Sequence, residues 1–195
     1  MAVIRAVTVY CSSSRNVDPV YFDAAAELGA AVAREGWQLV YGGNDCGCMG
    51  ALANAARAAG GRVVGVTPQI LHAQGITDHK CDELIITPGM RERKALLEQR
   101  GDAFITLPGG LGTLEEILEI IVGRSLGYHA KPIVLLNIAN FFAPLLAMLD
   151  LGIEQKFIKE KSRRLFHVSP SIPDAIAHLK HGASSSAAPD PSAAE

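Results

Sequence analysis

No stretch of this chain approaches the ~20 consecutive apolar residues that a membrane-spanning helix needs, so no membrane partner is expected. Nor does one sign of charge dominate. Eighteen Lys and Arg stand against 20 Asp and Glu, a formal net charge of −2. Binding along a nucleic acid relies on many cation–phosphate contacts, and this balance gives no sign of them. Cysteine is scarce and unpaired in pattern: Cys11, Cys46, Cys48 and Cys81 form no C-x-x-C unit. Cys46 and Cys48 are one residue apart, which suits neither zinc chelation nor a thioredoxin-type pair, so small thiols in a reducing compartment are expected and no metal. The N-terminus is too short and strand-like for a signal peptide, and a cytoplasmic protein is expected. Two phosphate-binding fingerprints are also missing, G-x-G-x-x-G and G-x-x-x-x-G-K-[ST]. That weighs against a nicotinamide enzyme and against an NTPase.

What is present is a chain of 195 residues, 49% hydrophobic, enough for one sizeable core. Residues 3–11 are rich in β-branched types and read as a strand. Pro19 opens an Ala-rich helix that runs to Glu35, and Gly36 stops it. The alternation continues with strands over 37–41, 62–66, 83–87, 102–107, 131–137 and 165–168. Helices fall over 49–59, 88–100, 113–126, 141–149 and 170–180, and one short helix lies somewhere in 67–82. In the helix over 113–126, Leu114, Ile117, Leu118, Ile121 and Val122 recur at spacings of three and four and predict the buried face. Strands alternating with helices imply right-handed β-α-β units. The fold expected is α/β: a doubly wound, mainly parallel, Rossmann-like sheet in three α/β/α layers. Residues 1–181 form one nucleotide-binding domain on this reading. Residues 182–195, mostly Ala, Ser and Pro, have little to bury and read as a disordered tail.

In such sheets a ligand binds beyond the C-terminal ends of the strands. Three loops leave those ends with small or polar residues: Ser12-Ser13-Ser14, Gly42-Gly43 and Pro108-Gly109-Gly110-Leu111-Gly112-Thr113. The third is the most informative. Its glycines let the backbone approach a ligand, and Thr113 opens a helix whose free N–H groups and positive dipole end favour an anion. Thr113 and Glu116 also have the spacing of a capping box, a structural use for the same residues. A capping box has no need of three glycines in four positions. A second cluster, Met90-Arg91-Glu92-Arg93-Lys94, precedes the strand that feeds the glycine loop. Its helix packs beside that loop, within reach of an anion bound there.

Together these two clusters resemble the paired signatures of the LOG ("Lonely guy") family, M-H-x-R-K and P-G-G-x-G-T-x-x-E. The resemblance extends to Val9-Tyr10-Cys11 with Ser13, Val40-Tyr41-Gly42-Gly43, Gly47 with Met49-Gly50, and Lys131-Pro132. LOG proteins are cytokinin riboside 5′-monophosphate phosphoribohydrolases, and an older label for them is possible lysine decarboxylase. The resemblance implies hydrolysis of the N-glycosidic bond of AMP or an N6-modified AMP, giving free base and ribose 5-phosphate without a cofactor. Carried over to this chain, Arg93 and Glu116 match the catalytic pair. Gly109, Gly110, Gly112 and Thr113 match the 5′-phosphate loop, with Ser13, Gly43, Met90 and Lys94 as further nucleotide contacts. At least a homodimer is implied, with the site near the subunit boundary. The chain departs from the family at Asn44, Cys48, Gly75, Arg91, Val122 and Gly123. Most of these departures lie where the base is selected, while the phosphate and catalytic positions are kept.

The residue types suit that chemistry. Glycoside cleavage builds positive charge on the ribose, which a carboxylate stabilises. An arginine stays charged at any working pH and can orient that carboxylate or polarise the leaving base. Two rivals remain. A non-catalytic carrier of a nucleotide or of molybdenum cofactor on the same fold would use the glycine loop but has no evident need of Arg93 and Glu116. A pyridoxal decarboxylase needs a buried Schiff-base lysine, and only His79-Lys80 suggests one.

Overall fold

The computed structural model describes residues 3–182. The apolar runs become β1 (Ala6–Tyr10), β2 (Gln38–Tyr41), β3 (Val63–Pro68), β4 (Glu83–Thr87), β5 (Ala103–Thr106), β6 (Ile133–Leu136) and β7 (His167–Ser169). Between them run α1 (Pro19–Arg34), α2 (Gly47–Ala58), α3 (Gln69–His72), α4 (Met90–Arg100), α5 (Leu111–Ser125), α6 (Ala143–Glu154) and α7 (Ile172–Gly182). All seven strands are parallel, in the order β4-β3-β2-β1-β5-β6-β7. The expected doubly wound α/β sheet is therefore present, with all of its pairings parallel. Parallel sheets bury both faces, which is why β1, β3, β5 and β6 are unbroken runs of buried residues.

One face carries α1, α2 and α7, with Leu28, Val32, Leu52 and Leu179 at its centre. The other carries α4, α5 and α6, centred on Leu97, Phe104, Ile117 and Phe142. Helices α1 and α2 meet closely enough that a Cβ on Gly29 would lie 2.1 Å from the Leu52 carbonyl oxygen. The chain winds outward from β1 to β4, then crosses back to place β5 on the other side of β1. In register, Tyr10 pairs with Thr106, so the loops that leave β1 and β5 start side by side. That reversal is the switch point where an open α/β sheet forms its crevice.

Several boundaries differ from expectation. Strand β1 is shorter than residues 3–11, and α6 runs on to Glu154 because Leu149 and Ile153 continue the spacing of four set by Leu145. The segment 67–82 does hold one short helix, α3. Gly182 closes α7, and residues 183–195 of the predicted tail lie outside the described residues. Helix α5 differs in a more consequential way. Thr113 is not its cap: Gly110 is, with no side-chain cap bond, and Thr113 is the third helical residue. Its buried stripe is Thr113, Glu116, Ile117 and Ile120, whereas Leu118 and Val122 are 37% and 53% exposed. Apolar residues occur at nearly every helical phase of α5, so two faces compete for the core. The one that carries Glu116 inward wins.

Candidate active site

Arg93 lies one turn into α4 and points back under the C-terminal ends of β2 and β3. Its Nε donates to the Val66 carbonyl at 3.0 Å, and Nη2 donates to the Gly42 carbonyl at 3.4 Å. Nη1 donates to Glu116 Oε1 at 2.6 Å. Only 4% of Arg93 and 6% of Glu116 is exposed, so the two charges meet almost out of water. Burial pushes the Glu116 carboxyl above its ordinary value, and the Arg93 guanidinium pulls it back without fully offsetting that rise. Removing either partner would strand the other as a buried charge.

Glycine makes this approach sterically open. A Cβ on Gly42 would lie 2.4 Å from Arg93 Nη2 and 2.8 Å from the Met49 methyl. Gly43 has φ +77°, the left-handed region, and packs against β3. The P-G-G-x-G-T loop divides in two. Gly109 is structural: a Cβ there would meet Thr113 Oγ1 at 2.2 Å. Gly110 and Gly112 face open space, with nothing within 4 Å of an added Cβ, and neither has positive φ. Neither conformation nor packing within the chain calls for glycine at those two places. The first α5 N–H with an intrahelical acceptor is Leu114's, on Gly110 O at 3.0 Å, so those of Leu111, Gly112 and Thr113 point out of the helix end.

Ser13 is exposed, on the loop that leaves β1 beside β5. Its carbonyl accepts from Cys46 Sγ at 3.3 Å, and a Cβ on Gly47 would strike its backbone, so this loop and the start of α2 are packed together. Met90, the first residue of α4, is 42% exposed. Lys94 is placed differently from the rest. Its Nζ pairs with Glu115 and, at 2.8 Å, with Glu119 on the outer side of α5. The fold thus joins Arg93, Glu116, Gly43 and the glycine loop at one end of the sheet, sets Ser13 next to them, and turns Lys94 toward two acids. Gly75, Arg91 and Val122, where the chain departs from the LOG pattern, are all exposed.

Sequence reasoning missed what backs the site. Thr67 and Thr106, at the ends of β3 and β5, are fully buried with unpaired hydroxyls. Tyr41, Arg57 and Asp78 form a network behind Gly43, buried at Tyr41 and Asp78 and half-buried at Arg57. The network does not follow from local pattern, because its members meet across 37 and 21 residues of chain. His79 and Lys80 are exposed, which removes the sequestered lysine that a Schiff base requires.

Fold and site together define a doubly wound α/β protein with a glycine-lined helix start and a buried Arg–Glu pair at the switch point. Comparison with known proteins gives the family. Residues 49–179 match the family model described as "Possible lysine decarboxylase". Cytokinin riboside 5′-monophosphate phosphoribohydrolase LOG of Oryza sativa is 40% identical over 176 residues, 90% of this chain and 73% of that protein. The cytokinin riboside 5′-monophosphate phosphoribohydrolase of Mycobacterium tuberculosis is 42% identical over 170 residues, 87% of this chain and 90% of that one. The chain belongs to the LOG family. Among solved structures, the molybdenum cofactor carrier protein of Chlamydomonas reinhardtii superposes with a TM-score of 0.71 at 24% identity, covering 93% of this chain and 99% of that one. That likeness establishes the shared fold.

Proposed function

We propose that this chain hydrolyses the N-glycosidic bond of a nucleoside 5′-monophosphate, AMP or an N6-modified AMP such as a cytokinin riboside monophosphate, to free base and ribose 5-phosphate. The observation that carries the reading is the buried Arg93–Glu116 pair beside two glycines that face open space. The names of the relatives supply the reaction, and the chemistry of the pair suits it.

On this reading the 5′-phosphate sits at the start of α5, taken up by the N–H groups near Gly110, Gly112 and Thr113, with Ser13 and Gly43 closing the crevice. Gly109 shapes that loop by letting Thr113 fold against it. Phosphate binding there fixes the ribose, so binding energy remote from the bond aligns it for reaction. Water attacks C1′, the bond from C1′ to the base nitrogen breaks with its electron pair leaving on the base, and the base takes up a proton. Ionised Glu116 stabilises the positive charge that develops on the ribose and orients or deprotonates the water. Arg93 holds that carboxylate in place and keeps it charged. Met90 borders the nucleotide, and Lys94 reaches it after release from Glu115 and Glu119.

Homodimerisation is part of the proposal. Helices α5 and α6 expose Leu118, Val122, Met148 and Leu151, with Leu126 just past the end of α5, and beside them lies a groove of about 680 Å³ floored by Ile121, Leu146 and Phe166. Patches of this kind on soluble proteins mark interaction surfaces. Because α5 also carries Glu116, a two-fold contact there brings the site close to the subunit boundary. Four unpaired cysteines suit a cytoplasmic, reducing setting. The test is a substrate panel of AMP, isopentenyl-AMP, GMP and CMP, read as ribose 5-phosphate release. Release from an adenine nucleotide is expected. Tight nucleotide binding with no release from any would overturn hydrolysis and favour a carrier.

A further inference from the structure

The strap from β3 to β4, residues 69–82, lies against the loop that follows β2. Two backbone hydrogen bonds sew them together. Asp78 N–H donates to Gly43 O at 2.8 Å and Asp45 N–H donates to Ile76 O at 3.0 Å, which makes Asn44 and Thr77 an isolated antiparallel bridge. Under the strap sits the Asp78 carboxylate, 2% exposed. Tyr41 OH at 2.8 Å and Arg57 Nη1 at 2.7 Å both donate to Oδ2, and the Lys80 N–H donates to Oδ1 at 2.9 Å. Arg57 is itself aimed by Asn54, whose Oδ1 accepts from Nη2 at 2.8 Å. Donors thus reach one acid from β2, from α2 and from the strap itself. Burial pushes this carboxyl up, yet the bonds from Tyr41, Lys80 and Arg57 outweigh burial and hold it below its ordinary value.

Holding a strap down does not require this. Apolar side chains of similar volume bury as well, and replacing a buried ion pair with them is often neutral or stabilising. What a buried carboxylate with three directed donors adds is one fixed position for the chain that carries it. That position is transmitted. Asp78 fixes Gly43, whose neighbour Gly42 accepts the Nη2 bond of Arg93, and Nη1 of the same guanidinium holds Glu116. The Gly42 bond, at 3.4 Å, is the longest of the three that orient Arg93 and so the most sensitive to a shift of the loop.

We infer that Asp78 is a positioning residue: by locking the strap to residues 43–45 it sets Gly42, and through Gly42 the angle at which Arg93 presents Glu116. The inference rests on the reading of Arg93 and Glu116 as the reacting pair. Asp78 does not touch the substrate, and the glycine loop on β5 and α5 is built without it.

The test uses the full chain with Asp78→Asn, which keeps the size and loses the charge that Arg57 pairs. Three readouts are taken well below the melting temperature: amide hydrogen exchange at Asp45 and residue 78, the Arg93 Nε–H resonance, and kcat and KM for AMP. Exchange should quicken and the Arg93 resonance should move or broaden. kcat should fall about tenfold, since misplacing a reacting group by ~1 Å can cost about 100-fold. KM should change less than kcat, because the α5 end that takes the phosphate is built without Asp78 and only Gly43, at the crevice wall, shifts with the strap. Arg57→Met, at the partly exposed end of the network, should give the same pattern more weakly, and it replaces Asp78→Asn if that variant does not fold. Quickened exchange with an unchanged Arg93 resonance would overturn the inference, as would unchanged kcat or a loss confined to melting temperature. Should the wild-type protein cleave no nucleoside monophosphate, the hydrolase reading fails separately, and the Arg93 resonance still decides whether Asp78 positions that side chain.

Discussion

Gly109, Gly110 and Gly112 sit within four residues, yet the structure gives them different reasons to be glycine, and alanine at each separates those reasons. At Gly109 the new Cβ would lie 2.2 Å from Thr113 Oγ1 and 2.5 Å from its Cβ. Thr113 is buried and cannot swing away freely, so Gly109→Ala should lose about 1–3 kcal/mol of stability, the usual cost of overpacking. At Gly112 nothing lies within 4 Å and φ is not positive. Restricting the unfolded chain there should gain about 0.4–1 kcal/mol, which raises the melting temperature by roughly 1–4 °C in a protein of this size. Gly110→Ala should leave stability near wild type. Binding should run the other way. A methyl group in the phosphate's place forfeits at least one charge-assisted hydrogen bond, about 1.5–3 kcal/mol, which is about a 10- to 150-fold rise in KM. Thermal melts and steady-state kinetics on the three variants are the assay. A Gly112→Ala protein that is as stable as wild type or more so, with unchanged KM, would refute the assignment of this loop to the phosphate.

Three further outcomes follow from the same geometry. Because burial raises the Glu116 carboxyl and the proposed mechanism uses its ionised form, kcat/KM should fall on acidification through a value above the ordinary 4.5. An acid limb at or below 4.5 in a kcat/KM–pH profile would contradict that role. Val122→Glu, on the exposed face of α5, should convert a dimer to monomers in light scattering; a wild-type protein that is already monomeric removes the proposed interface. Gly29→Ala forces a Cβ onto the Leu52 carbonyl oxygen and should cost about 1–3 kcal/mol by denaturant unfolding, so an unshifted midpoint would mean that α1 and α2 do not pack this closely.

The strand–helix alternation was legible because each element carries its own periodicity, and the glycine loop and the Met90–Lys94 cluster were legible because each is contiguous. Contact across the chain was not. Nothing local shows that Arg93 pairs inward with Glu116 while its neighbour Lys94 pairs outward with Glu115 and Glu119. Helix α5 misled because its apolar residues serve two surfaces, and a single stripe drawn through Leu118 and Val122 merges them. The capping-box spacing at Thr113 misled because Gly110 ends the loop one turn earlier. Asp78 lay in a segment without period, and its meaning comes from Tyr41 and Arg57, 37 and 21 residues away.

In the proposed reaction Glu116 is the ionised group that faces the sugar. The most direct measurement compares wild type with Glu116→Gln for AMP binding and for single-turnover release of ribose 5-phosphate. The variant should still bind the nucleotide through the α5 loop, and its cleavage rate should drop by at least about 100-fold, the lower end of what a positioned acid–base group contributes. Cleavage by Glu116→Gln at the wild-type rate would contradict the central claim.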